Sequence, residues 1–197
     1  MSKGLATREM IISTSADLFN KFGYHGCSLS DIMKATNLKK GGIYNHFKNK
    51  DEISFEAFDY SFNRIKKLFR SRLDLDNNAT EKINSIIEIY AELLKMPGME
   101  GGCPIFNTAI DSANTHPLLQ KKANIAISTL KRYIEIKIEE GIAAKEFKQG
   151  AADCGLSSLI IMTMEGAMVM SRLNGEESIN IAVNSLKSFV ESYVIKK

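Results

Sequence analysis

The sequence predicts an all-α protein of about nine helices. Apolar residues recur at helical spacing along nearly the whole chain, and the two-residue alternation of half-buried strands is essentially absent. The periodic segments are separated by breaks rich in Gly, Pro and Asn, the residues that stop helices. Three short helices are expected first and longer ones after them. The chain therefore divides into an N-terminal head, residues 1–50, and a helical body, residues 51–197.

The first helix runs from about Thr7 to Phe22, with Ile11, Ile12, Leu18 and Phe19 at helical spacing, and Gly23 stops it. Ser28 can cap a short second helix by accepting from an exposed N–H while Asp31 reaches back. Ile32, Met33 and Ala35 form the apolar face of that helix, small Ala35 suiting a close crossing. Asn37 stands where the turn requires left-handed backbone, and Leu38 plugs the core behind it. A third helix, Lys39 to Phe47, turns Ile43 and Phe47 inward and Lys40, Tyr44, Asn45 and His46 outward.

The fourth helix, about Lys50 to Leu73, is long and aromatic. After the turn LDLDNNAT, Thr80 and Glu81 open a fifth helix through Ile83, Ile86, Ile87 and Leu93. Pro97, Gly98, Gly101, Gly102 and Pro104 break the chain before a short sixth helix reaching about Asn114. A seventh runs from Pro117 to about Gly141, and an eighth, apolar nearly all round, from Ala152 to Leu173. The ninth, Glu177 to about Val194, carries Ile179, Val183, Leu186, Val190 and Tyr193 on one stripe.

Helices two and three form a helix-turn-helix, whose second helix lies in the DNA major groove. Charge agrees. Residues 1–50 hold eight Lys or Arg against three acids, and the remainder eighteen against twenty, so a basic head sits on a near-neutral body. The run GGIYNHFKNKDEI, with Lys40, Gly41, Tyr44, Phe47 and Lys50 in place, resembles the TetR family of bacterial one-component regulators. The resemblance covers the first quarter of the chain strongly and the rest by architecture. Asn37 replaces the usual Gly of the turn and keeps its chemistry. Lys39 puts a cation at a helix N-terminus and Gly42 weakens the helix, both tolerable if phosphate faces Lys39 and the duplex closes against Gly42.

The resemblance implies that Tyr44, His46 and Lys50 hold phosphates, with Ser28 adding a hydroxyl and an N–H. Lys39, Lys40 and Asn45 would read base edges around the bare Gly41 and Gly42. Arg8 and Lys3 would add weaker charge contacts. A homodimer on a pseudo-palindromic site in double-stranded DNA follows, as does a repressor released by a small-molecule effector. The effector pocket of such proteins lies among helices four to seven, often reaching helix eight. Its candidate lining here is Phe62, Tyr90, Met96, Met99 and Cys103, then Phe106, Asn107, Ile110, Tyr133 and Met164. The same residues would also fill an ordinary helical core. Cys103 is either a thiol activated at a helix N-terminus or a packed, inert one. Helices eight and nine are apolar on more faces than one bundle covers, which makes Leu159, Met170, Ile179, Val183, Leu186 and Val190 candidates for a dimer interface, with intramolecular core as the alternative.

An enzyme has no support, because the chain lacks a Gly-rich phosphate loop, a nucleophile elbow and a paired acid–base constellation. Cys27, Cys103 and Cys154 are too scattered for a disulfide framework, and His25, His46 and His116 stand apart, so neither metal nor cofactor is expected. No apolar run is read as spanning a membrane and the N-terminus lacks the apolar core of a signal peptide, so cytoplasmic residence is expected. The competing expectation is an architectural DNA-binding dimer without a ligand.

Overall fold

The computed structural model describes residues 3–76 and 78–196, without the side chain of Tyr193. Among them are nine α-helices: α1 Lys3–Gly26, α2 Leu29–Thr36, α3 Lys40–Tyr44, α4 Lys50–Leu73, α5 Ala79–Leu93, α6 Pro104–Ser112, α7 Pro117–Ala143, α8 Leu156–Asn174 and α9 Glu177–Phe189. The chain passes through two compact units. The first holds Met1–Ile65 and Met96–Asn124, the second Lys66–Lys95 and Ile125–Lys197. Residue 50 thus marks the start of α4 and not a gap between the units.

The first unit is organised around Ile11, Cys27, Ile32, Ile43, Phe47 and Ile53, with Leu38 among the partly buried side chains packed on them. Members of this cluster come from α1, α2, α3, α4 and the connections between them, so burying it fixes α1, α2 and α3 against the start of α4. The helical backbone of α1 breaks at Gly23 (φ 74°, ψ 169°), where the sequence placed its stop, and a last turn follows to Gly26. On α2 the inward residue after Ile32 is Thr36 and not Ala35, which is exposed. Thr36 can be buried because its hydroxyl donates to the Ile32 carbonyl at 2.7 Å.

In the second unit α5, α8 and α9 pack together, burying Ile83, Ile86, Tyr90, Ile160, Met164, Ile179 and Leu186. Glu146 caps α5, accepting from Ala79 N (3.1 Å), Thr80 N (3.0 Å) and Thr80 Oγ1 (2.9 Å). Desolvation acts to raise the Glu146 carboxyl, but these bonds and nearby Lys82 outweigh it and hold the group below its ordinary range. α8 starts at Leu156, later than expected, because a 3-10 turn at Gln149–Ala151 and left-handed Gly155 (φ 68°) precede it. Beyond Phe189 the chain continues as a π-helical turn, Val190–Val194. Tyr193, expected on the stripe of α9, lies outside the described side chains. Contrary to expectation, α8 does reach the length and mean hydropathy (1.2) of a membrane-spanning helix. Its Leu156, Ile160 and Met164 face are nonetheless buried in the bundle with α5 and α9, and buried Glu165 sits mid-helix.

Candidate nucleic-acid interface and adjoining cleft

Local chemistry sets the start of α2. Ser28 is its N-cap: its hydroxyl accepts from Asp31 N at 3.2 Å, and Asp31 Oδ2 accepts from Ser28 N at 2.8 Å and from Ser28 Oγ at 2.6 Å. The side-chain and backbone bonds from Ser28 hold the Asp31 carboxyl below its usual range. Asn37 closes the helix in left-handed backbone (φ 54°), donating its N–H to Lys34 O, and Leu38 N returns to Met33 O. The turn then delivers Lys39 as the N-cap of α3, with no side-chain capping bond. α3 is shorter than expected, and Phe47, on the turn that follows, anchors it together with Ile43.

The outer side of α3 presents Lys39, Lys40, Gly41, Tyr44 and Asn45 to solvent, with His46 half-buried. Lys40 Nζ stands 5.7 Å from the Tyr44 ring centroid. Of the two glycines, Gly41 is the bare outward one, since a Cβ there would meet nothing within 4 Å. Gly42 instead faces Leu38, whose Cβ would lie 3.6 Å from an added Cβ, so the expectation that a duplex closes against Gly42 passes to Gly41.

Lys50, expected to hold phosphate, and Arg8, expected to add a weaker charge contact, are both tied inside the unit. Lys50 Nζ donates to Tyr24 O at 2.6 Å and Cys27 O at 2.9 Å, and lies 4.0 Å from the Tyr24 ring centroid. With two of its three protons so placed, Lys50 anchors the α1–α2 connection to α4. Arg8 pairs with Glu56 and stacks 4.9 Å over Phe47. Lys3 is exposed at the start of α1. Cys27 is buried beside this tie, and burial, with the Asp31 charge, pushes its thiol to about 11.

The connection at Gly23 is held from α6. Asp111 Oδ2 accepts from Tyr24 N at 2.8 Å, beside the left-handed Gly23, where any Cβ would come 3.0 Å from Asp111 Oδ1. The Tyr24 hydroxyl donates to Asp51; burial, then that bond, pushes the phenol to about 12, so it stays protonated. Farther up α1, Asn20 Nδ2 donates to the carbonyls of Gly98 and Gly102, both at 3.0 Å, and Asn107 Nδ2 donates to Asn20 Oδ1 (2.9 Å) and Gly101 O (2.7 Å). A Cβ on Gly101 would run into the Asn20 carbonyl oxygen well inside contact distance. The GGCP segment therefore requires glycine because α1 backbone lies directly against it.

Between α1, α4, α6 and α7 this arrangement leaves a cavity of ≈ 30 Å³, whose wall includes Phe19, Tyr24, Phe58, Asn107, Thr108 and Asp111. Of the expected effector residues only Asn107 lines it. Met99 and Cys103 are buried, Met96, Phe62 and Phe106 are half-buried, and Ile110 is 72 % exposed, on the outer side of α6. Tyr90 and Met164 are buried in the second unit, where Tyr133 meets Phe69 edge-on at 6.3 Å. Asn20, Tyr24 and Asp111, absent from the expectation, are the groups that shape the cavity. Their one sequence trace is a lone acid on an otherwise uncharged helix, α6, and the glycine break in α1. Of the expected dimer residues, Ile179, Leu186 and Val190 are buried within their own bundle, Leu159 and Val183 are half-buried, and Met170 is exposed. The exposed apolar side chains of α8 and α9 are instead Met162, Val169, Met170, Leu173 and Ile181. Among the described residues no group of three His, Cys, Asp or Glu could hold a metal ion.

A helix-turn-helix head with an exposed basic reading face, joined to a helical bundle, defines a DNA-binding transcriptional regulator. Residues 11–57 match the N-terminal model of the bacterial regulatory proteins of the tetR family, and residues 79–183 match the tetracyclin repressor-like C-terminal domain. A TetR transcriptional regulator from Chloroflexus aurantiacus has a solved structure with TM-score 0.94, 36% identity and full coverage of both chains. The uncharacterized HTH-type regulator YxaF of Bacillus subtilis is 27% identical over 174 residues, 87% of this chain and 88% of its own. The biofilm operon negative transcriptional regulator IcaR of Staphylococcus epidermidis is 39% identical over 56 residues, 28% of this chain and 30% of its own. The chain belongs to the TetR family of transcriptional regulators, a family of DNA-binding proteins and not of enzymes.

Proposed function

We propose that this regulator is a cytoplasmic homodimeric repressor that leaves a pseudo-palindromic operator when a small molecule enters the cleft against α1. The observation that carries the DNA part is the outer side of α3, where Lys39, Lys40, Tyr44 and Asn45 stand exposed on a helix fixed from behind by Ile43 and Phe47. Lys40 and Asn45 suit guanine and adenine edges, Tyr44 and the Ser28 N-cap suit phosphate, and Gly41 allows close approach of the backbone. Lys50 acts indirectly, by holding the turn before α2. Repression is supported by likeness to the negative transcriptional regulator IcaR, 39% identical over 56 residues.

The dimer is assigned to the exposed apolar side of α8, with Met162, Val169 and Met170, and to Ile181 on α9. Val183 and Leu159 are at its margin. Selecting bound fragments from random DNA tests the whole scheme. Two half-sites about one helical turn apart are expected; a single half-site, or no preferred sequence, would overturn it. In sedimentation, Met162→Glu with Val169→Glu should give folded monomers. The ligand-free architectural alternative draws on the tight packing around Tyr90 and Met164; it predicts that no small molecule releases the selected DNA.

A further inference from the structure

Among the described residues, Asp111 is the one Asp, Glu, Lys, Arg or His in the wall of the cleft. Its carboxylate accepts one hydrogen bond, from Tyr24 N, and no described ion pair reaches it. Cations nearby in sequence or space have other partners: Lys50 on the Tyr24 and Cys27 carbonyls, Lys122 on Asp59, Arg64 on the Pro97 carbonyl. A half-buried carboxylate has about four acceptor sites, so Asp111 retains acceptor capacity toward the cavity. The rings of Phe19, Tyr24 and Phe58 line the same space, and an aromatic face attracts a cation. The Ser61 and Thr108 hydroxyls on the wall have no protein hydrogen-bond partner among the described residues.

One anionic group, the rings of Phe19 and Phe58 and two hydroxyls favour a positive guest, while the Tyr24 ring already carries the Lys50 ammonium 4.0 Å from its centroid. Hydrogen bonding narrows the guest further. The cavity of ≈ 30 Å³ has room for a small head group, and the spare acceptor sites of Asp111 call for N–H donors, which a nitrogen wrapped in methyl groups lacks. We propose that the cleft binds the primary ammonium head of an amine, seated between Asp111 and the aromatic rings with its tail directed to solvent. The proposal rests on the effector-responsive function given above and supplies the ligand class. It also supplies the coupling. The bound ammonium donates to the carboxylate that now receives the Tyr24 N–H, loosening the tie at the Gly23 break. The last turn of α1, and the Ser28 cap that follows it, then lose their fixed position.

The test titrates the full-length protein with n-propylammonium, tetramethylammonium and propionate at matched ionic strength. Binding is read by calorimetry and by the amide resonances of Tyr24 and Thr108, and release by anisotropy of the selected DNA. The expected result is saturable binding of propylammonium with movement of the Tyr24 amide, at least tenfold weaker responses to the other two, and weaker DNA binding. Asp111→Asn should weaken propylammonium binding at least tenfold. Should that variant melt, Thr108→Val and Phe58→Leu, which keep the Asp111–Tyr24 bond, should each weaken it about threefold. Equal response to tetramethylammonium, or full binding in these variants, overturns the site. Amine binding that leaves DNA affinity unchanged overturns the coupling. Release of DNA by other small molecules, with no amine bound, overturns this site while leaving the effector-responsive function standing.

Discussion

On the outer side of α3, the side chains of Lys39, Tyr44 and Asn45 have no hydrogen-bond partner among the described residues, whereas at the Gly23 break nearly every polar group is engaged by a partner far away in sequence. Tyr24 alone donates to Asp111 and Asp51 and supplies a carbonyl to Lys50. In the proposed function, the side chains that would exchange water for DNA are left solvated, so binding would break no internal bonds. The groups that decide where those side chains stand are bonded instead to α4 and α6. Affinity and orientation are thus held by different residues, and mutation can separate them.

The largest expected effect is at the close approach of the GGCP segment to α1. Gly101→Ala places a methyl group against the Asn20 carbonyl, and urea denaturation should show a loss of about 3 kcal/mol. A loss below about 0.5 kcal/mol would mean the segment moves away freely, and the contrast between a fixed junction and a free reading face would fail.

Next comes Lys50→Met beside Tyr44→Phe. The first removes two charged hydrogen bonds to carbonyls and should cost about 2 kcal/mol of stability along with DNA affinity. The second should leave stability within about 0.5 kcal/mol and weaken binding to all DNA sequences alike. If Lys50→Met reduces DNA affinity with unchanged stability, Lys50 is a direct phosphate ligand after all.

The smallest effect compares the adjacent glycines. Ala at either position should stabilise α3 by about 0.5–1 kcal/mol, because Gly is the weaker helix former and neither site is strained. Only Gly41→Ala should weaken DNA binding, since its methyl group points to open solvent while that of Gly42→Ala packs on Leu38. Equal losses of DNA affinity would place both glycines at the duplex.

Features legible in the sequence were those decided within a few residues. The Ser28–Asp31 box, left-handed Asn37 and the break at Gly23 each depend on chemistry between near neighbours. Bonds across long separations left no comparable trace: Asp111 meets Tyr24 across 87 residues, and Lys50 meets it across 26. Ala35 is the expected inward residue and Thr36 the observed one, because the bond from its hydroxyl to the Ile32 carbonyl, which composition does not reveal, makes its burial cheap. Ile179, Leu186 and Val190 form an apolar stripe buried in their own bundle, and periodicity says that a helix face is buried but not by which molecule.

Glycine against backbone at Gly101 also bears on how such regulators can be recombined. A chimera that joins the first fifty residues of this chain to the body of a relative would set one parent's Asn20 against the other parent's loop. Any residue larger than glycine at that position would wedge the graft open. The transplantable cassette is therefore discontinuous: residues 1–65 must travel together with 96–124.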